Sequence, residues 1–226
     1  MSPRYKEVCY ELLKYITDEL GKMTDLNVYH VYVAGGSVVG EVYNKPYNDV
    51  DVFMSVNNFD MTRDHNFEKF FDKLCNVTNI ANSKVTEMSF INGDYGLTSI
   101  AAIRKIVNFP YKGFNVQVIL CNDAFPYRVF DLSICRIALQ LNWQRKKMVL
   151  LRTSEFKDCM RKKKIYMYDT AASVDHSLKR MYKYLQRFTD FTPKFEDELY
   201  DREGTEDKIT DFINSLEFEK IVLNGR

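Results

Sequence analysis

Apolar residues recur every three to four positions over residues 4–20, where Val8, Leu12, Leu13, Ile16 and Leu20 form one stripe. That spacing predicts an amphipathic helix with Gly21 as its stop. After a connector over Met23–Asn27, the run His30–Ala34 reads as a strand that halts at Gly35-Gly36-Ser37. Ser37–Val42 then reads as a short helix and Asn44–Asn48, with Pro46, as a turn. The turn delivers a second β-rich run, Val50–Met54, with Asp49 and Asp51 at its mouth. Phe67, Phe70, Phe71 and Leu74 mark a helix over 63–77, and Val85–Ile91 a strand broken by Asn92-Gly93-Asp94. Ile103–Phe109 and Phe114–Leu120 form the clearest hairpin, closed by a four-residue turn over Pro110–Gly113. Phe125–Phe130 leads to Asp131, and Leu132–Leu141 reads as strand passing into helix.

The pattern changes near residue 143. In Ser177–Phe188, Leu178, Met181, Leu185 and Phe188 share one face while Lys179, Lys183 and Arg187 lie elsewhere, and Asp211–Val222 reads as a final helix. The expected organisation is an α/β (α+β) domain over 1–142, with a mixed or antiparallel sheet and flanking helices. A mainly helical region over 143–226 follows it, suited to binding substrate or nucleic acid. The strands do not alternate with helices as a regular βαβ series does.

Composition narrows the setting. A chain of 226 residues, 46% of them hydrophobic, can bury a sizeable core. It has no run of 18 apolar residues, so no membrane span is expected, and its first residues, MSPRYKEVCYELLKYI, alternate charge and apolar groups unlike a signal peptide. Five scattered cysteines without a CxxC pair fit reduced thiols in a cytoplasm-like compartment, and three histidines argue against a His-rich zinc site. The net charge is only +1, but nine of the eleven charged residues between Arg145 and Lys164 are basic. Such a stretch can guide a polyanion, RNA above all; its plainer reading is a solvated face. Acids prevail from Glu196 onward.

Alternation along an extended chain points Asp49 and Asp51 the same way. Two adjacent carboxylates repel and resist burial, a cost that a divalent cation removes. The double glycine lets the backbone turn sharply close to a ligand, and Ser37 can open a helix whose free amides face phosphate oxygens. Metal-assisted nucleotidyl transfer requires this combination, and a third carboxylate completes the cage around Mg2+ or Mn2+. Asp131, flanked by Phe130 and Leu132, is the favoured third acid, with a helix N-cap as its plain alternative; Asp123 is the second choice. Arg180 and Lys183, three apart on a helix, can reach one anion, and Arg187 follows on the same helix.

Gly35-Gly36-Ser37, a short helix, then Asp49-Val50-Asp51-Val52 resembles the signature of the DNA polymerase β-like nucleotidyltransferase superfamily over about residues 30–135. The segments Phe130–Cys135 and Arg180–Tyr184 are similar to phage- and virus-type members, which would place a viral member in the host-cell cytoplasm. The resemblance implies that Gly35, Gly36 and Ser37 hold the triphosphate of an NTP, ATP above all, and that Asp49 and Asp51 bind catalytic Mg2+. By the second likeness Asp131 is the third carboxylate. Two departures stand out. Val38-Val39-Gly40 replaces the Arg-Asp that CCA-adding enzymes carry shortly after their glycines, and Gln117 stands where an acid is expected in the strand Asn115–Leu120. The expected activity is transfer of a nucleoside monophosphate to an acceptor hydroxyl, an RNA 3′ end by preference. Protein or small-molecule nucleotidylylation and an inactive nucleic-acid-binding or regulatory subunit are the alternatives.

Overall fold

The computed structural model describes residues 1–22, 28–56, 72, 86–89, 103–121, 126–142, 144–170 and 173–224. The chain opens with α1 (Pro3–Lys22), whose buried Tyr5, Val8, Leu12, Leu13 and Ile16 pack on the sheet. The central strands are β1 (Val28–Ala34) and β2 (Asp49–Val56), joined through the short helix α2 (Gly36–Tyr43). Beyond them come β3 (Thr86–Ser89), β4 (Ile103–Tyr111) and β5 (Phe114–Cys121), followed by β6 (Ile137–Asn142) and β7 (Lys147–Arg152). These strands form one seven-stranded sheet in the order β3-β4-β5-β2-β1-β6-β7. Only β2 and β5 run parallel; the other pairs are antiparallel. The mixed sheet with flanking helices matches the expectation from the sequence. All but residue 72 of the helix expected over 63–77, and the Asn92–Asp94 break, lie outside the described residues.

Two local details differ from the reading of the sequence. The β4–β5 hairpin is closed by Lys112-Gly113 alone, both at positive φ (46° and 80°), and not by a four-residue turn. A two-residue turn of that kind matches the twist of its strands, so pairing continues to Tyr111 and Phe114. The Leu132–Leu141 region also runs in the opposite order. A 3-10 turn at Ser133–Cys135 comes first and strand β6 after it. Its polar residues Ser133, Arg136 and Gln140 fall three and four positions apart, a helical spacing, so local periodicity favours the wrong element. Pairing with β1 at Tyr32–Ala34 decides for strand.

The sheet continues past residue 142, because β7 is its edge strand and pairs with β6 along its full length. Next come α3 (Ser154–Lys162), β8 (Lys164–Met167), α4 (Val174–Arg187), β9 (Thr192–Phe195) and α5 (Thr205–Asn224). Thr153 caps α3 by accepting from the Phe156 N–H at 3.1 Å. Strands β8 and β9 make a small parallel pair, so the region is helical with a minor sheet. The stripe expected on α4 is buried, with Leu178, Met181, Leu185 and the adjoining Phe188 in the core. No described helix is long and apolar enough to cross a membrane.

Candidate active site

Strand β2 buries Val50, Val52 and Met54 completely on one face, so alternation turns Asp49 and Asp51 to the other. Both lie within the strand itself. Ala34, the last residue of β1, pairs with Asp51, and this register brings the glycine turn out beside the acids. Gly35 has φ 78° and ψ −139°, a conformation reserved for glycine, and a Cβ there would lie 3.8 Å from Asp51 Oδ2. A Cβ on Gly36 would sit 3.0 Å from the hydroxyl of Tyr184 on α4. The turn is thus close to β2 on one side and to α4 on the other. Ser37 is fully buried in the first turn of α2, and its Oγ accepts from the Tyr5 hydroxyl at 3.0 Å.

Gly36, Ser37, Asp49, Asp51, Arg180 and Lys183 line a single cleft of about 180 Å3, with Tyr47, Asn48, Tyr184 and Arg187. A larger cleft of about 640 Å3 lies elsewhere, between Tyr127-Arg128 and Leu150–Lys157. Its lining has Glu155 as its one acid, whereas the smaller cleft holds the Asp49/Asp51 pair.

Desolvation pushes the Asp51 carboxyl up to about 7; the Asp49 charge adds to this and Arg180 opposes it. Asp49 Oδ1 accepts from Asn115 Nδ2 at 2.5 Å. A partly buried carboxylate pair with hard oxygen donors suits a divalent cation such as Mg2+ or Mn2+. In register beside the pair on β5 stand Asn115, opposite Asp49, and Gln117, opposite Asp51. The neighbouring strand therefore offers amides, and the third acid does not come from there.

Asp131 is placed differently from the expectation that it joins the pair. It is fully buried, its Oδ1 lies 2.5 Å from Arg180 Nη1, and its Oδ2 accepts from Ser177 Oγ at 2.7 Å. Among the described residues no three acidic, histidine or cysteine side chains gather as a cation site. Nor does Asp131 cap a helix: the following 3-10 turn starts at Ser133 with Leu132 at its N-cap. Burial works against the charge of Arg180, yet Asp131, aided by Cys135, Tyr184 and Asp51, outweighs it and raises the guanidinium above its ordinary value. Burial also raises the Cys135 thiol and the Tyr184 hydroxyl and lowers His176. Asp123 lies outside the described residues.

The basic run is less free than its composition suggests. Lys162 pairs with Asp158 at 2.9 Å, Arg161 with the same carboxylate at 2.7 Å, and Lys163 with Asp190 at 2.7 Å. Arg152 and Lys157 instead line the larger cleft with Arg128. Four residues at or behind the site escaped the sequence reading: Tyr5, Tyr47, Asn115 and Ser177. Only Ser177 left a trace, one helical turn before Arg180.

Neither a protein-family model nor a curated protein sequence matches the chain. Solved structures do. A tRNA-processing enzyme in an apo form superposes with a TM-score of 0.58 at 14% identity, over 95% of this chain and 48% of that one. The CCA-adding enzyme of Thermotoga maritima, complexed with tRNA, gives 0.57 at 18% identity over 97% of this chain and 44% of that one. A CCA-adding enzyme in complex with CTP gives 0.53 at 17% identity, over 97% and 45%. The fold is therefore of the nucleotidyltransferase type. The chain spans about half the length of those structures.

Proposed function

We propose that the protein is a divalent-cation-dependent nucleotidyltransferase that moves a nucleoside monophosphate from an NTP to an acceptor hydroxyl. The observation that carries this reading is the convergence of Asp49, Asp51, Gly36, Ser37, Arg180 and Lys183 on one cleft. Asp49 and Asp51 would hold Mg2+ or Mn2+, which when bound neutralises phosphate charge and lowers the proton affinity of the attacking hydroxyl. The first N–H groups of α2, at Gly36 and Ser37, have no partner inside the helix and bind the outer phosphates of the NTP. Arg180 and Lys183 take the remaining triphosphate charge from the α4 side. The acceptor hydroxyl gives up its proton to one of the two carboxylates or to water, its oxygen bonds to the α-phosphorus, the bond from that phosphorus to the bridging oxygen breaks, and pyrophosphate leaves.

The preferred acceptor is an RNA 3′ end, and two observations support it. The structures with this fold include enzymes solved with tRNA, CTP and ATP, and the larger cleft carries Arg128, Arg152 and Lys157. Nucleotide preference is taken as ATP. Incubation with each α-labelled NTP, Mg2+ or Mn2+ and RNA tests the reading. Label should pass to RNA with the wild type and not with Asp49→Asn or Asp51→Asn. Asn115 and Gln117 beside the acids favour one rival, a nucleotide-binding subunit without catalysis. That rival gains if NTP binds and no acceptor, RNA, protein or small molecule, is ever labelled.

A further inference from the structure

We propose that Asp131 is a positioning residue that holds the Arg180 guanidinium at the wall of the phosphate cleft and does not itself ligate the cation. This inference rests on the nucleotidyltransferase reading. Both carboxylate oxygens are engaged, Oδ1 by Arg180 and Oδ2 by Ser177, and the residue is fully buried. A cation on Asp131 would have to displace a guanidinium or sit against its charge, and like charges disfavour that. Arg180 is the member of the pair that reaches the cleft, and its side chain is 22% exposed.

The support around the pair is built on the inner side. The other guanidinium nitrogen, Nη2, donates to Cys135 Sγ at 3.4 Å. Tyr168 N–H donates to the Asp131 carbonyl at 2.9 Å, and Leu132 bridges to Met167. Ser177 and Arg180 stand one turn apart on α4, so one carboxylate fixes both the helix and the guanidinium. An ion pair used only to dock a helix is easily replaced by apolar packing, whereas a cleft that binds phosphate needs a charge held in one place. Asp51 adds to the field that keeps Arg180 protonated, so the guanidinium is poised between the buried acid and the cation-binding pair.

The test uses the full chain and two probes, Mn2+ alone and inorganic tripolyphosphate with Mg2+, with thermal unfolding measured beside them. Asp131→Asn should leave Mn2+ affinity unchanged and weaken tripolyphosphate about ten- to a hundredfold, the size of one lost charge-assisted hydrogen bond. KM for NTP should rise more than kcat falls. On an Arg180→Gln background, Asp131→Asn should cause no further loss. If Asp131→Asn does not fold, the Arg180→Gln chain and the double variant carry the comparison: the two should bind Mn2+ with the same affinity as each other and bind tripolyphosphate equally weakly. Loss of Mn2+ affinity on removing the Asp131 carboxylate, in either background, overturns the proposal, as does lowered thermal stability with tripolyphosphate binding intact. Failure of the wild type to bind tripolyphosphate or NTP would instead remove the nucleotidyltransferase reading beneath it.

Discussion

The Tyr5 hydroxyl donates to Ser37 Oγ at 3.0 Å, tying the first helix to the residue that follows the double glycine. Tyr5 is fully buried, and its ring meets Tyr47 and Phe114 edge-on at 5.7 and 6.1 Å. Tyr5→Phe keeps that packing and removes one buried hydrogen bond, worth about 1 kcal/mol. Thermal unfolding should fall by roughly 2–4 °C, the response expected of a chain this size. NTP affinity should drop by less than about tenfold, since Ser37 keeps its own amide and hydroxyl. Calorimetry and nucleotide titration measure both.

Asp51 should make the cation-free protein less stable as pH rises. Its carboxyl ionises near 3.8 when unfolded and near 7 when folded. The folded state therefore holds the extra proton between those values, and stability falls as pH increases through that window and levels off above it. Asp51→Asn should remove this slope and raise the unfolding temperature at pH 8 while abolishing label transfer. Denaturant titrations at pH 5 and pH 8, on wild type and variant, give the comparison.

Added methyl groups at two glycines should fail for different reasons. At Gly40 a Cβ would meet Tyr47 Cδ1 at 2.5 Å and the Lys45 carbonyl at 2.7 Å. Backbone cannot yield as a flexible side chain can, so Gly40→Ala should cost about 1–3 kcal/mol. At Gly35 there is space but no allowed conformation, and Gly35→Ala should cost a similar amount, about 1–3 kcal/mol. Only the Gly35 variant disturbs the backbone beside Asp51, so it should also lose Mn2+ affinity.

RNA binding should depend on Arg152 and Lys157 more than on Lys162 and Lys163. The latter two are held in ion pairs with Asp158 and Asp190, whereas the former line the larger cleft. Each of Arg152→Ala and Lys157→Ala should flatten the salt dependence of RNA affinity by roughly 0.7–1 in log–log slope. Lys162→Ala and Lys163→Ala should change it far less. Filter binding across a salt series reads all four.

What could be read from the sequence was local. The strand, glycine turn, short helix and Asp49/Asp51 pair lie within about one supersecondary unit, and alternation alone sets the two carboxylates on one face. The α4 stripe was legible for the same reason, through Leu178, Met181 and Leu185. The partners of Asp131 were not, because Ser177 and Arg180 arrive from 46 and 49 residues away. Asn115 reaches Asp49 only because β2 and β5 pair in parallel, and no local pattern specifies that pairing. Lys162 and Lys163 show both sides: Asp158 stands at the i−4 position from Lys162, a spacing visible in the sequence, whereas Asp190, the partner of Lys163, is distant along the chain.

The pairing of Ala34 with Asp51 links assembly of the sheet to assembly of the cleft. Sliding β2 by one residue would swing both aspartates into the hydrocarbon interior and turn Val50 and Val52 into the polar cleft. A chain that acquires its interior therefore acquires its acid pair in the same event, and partial maturation with a misaligned cleft is suppressed by the cost of the slip.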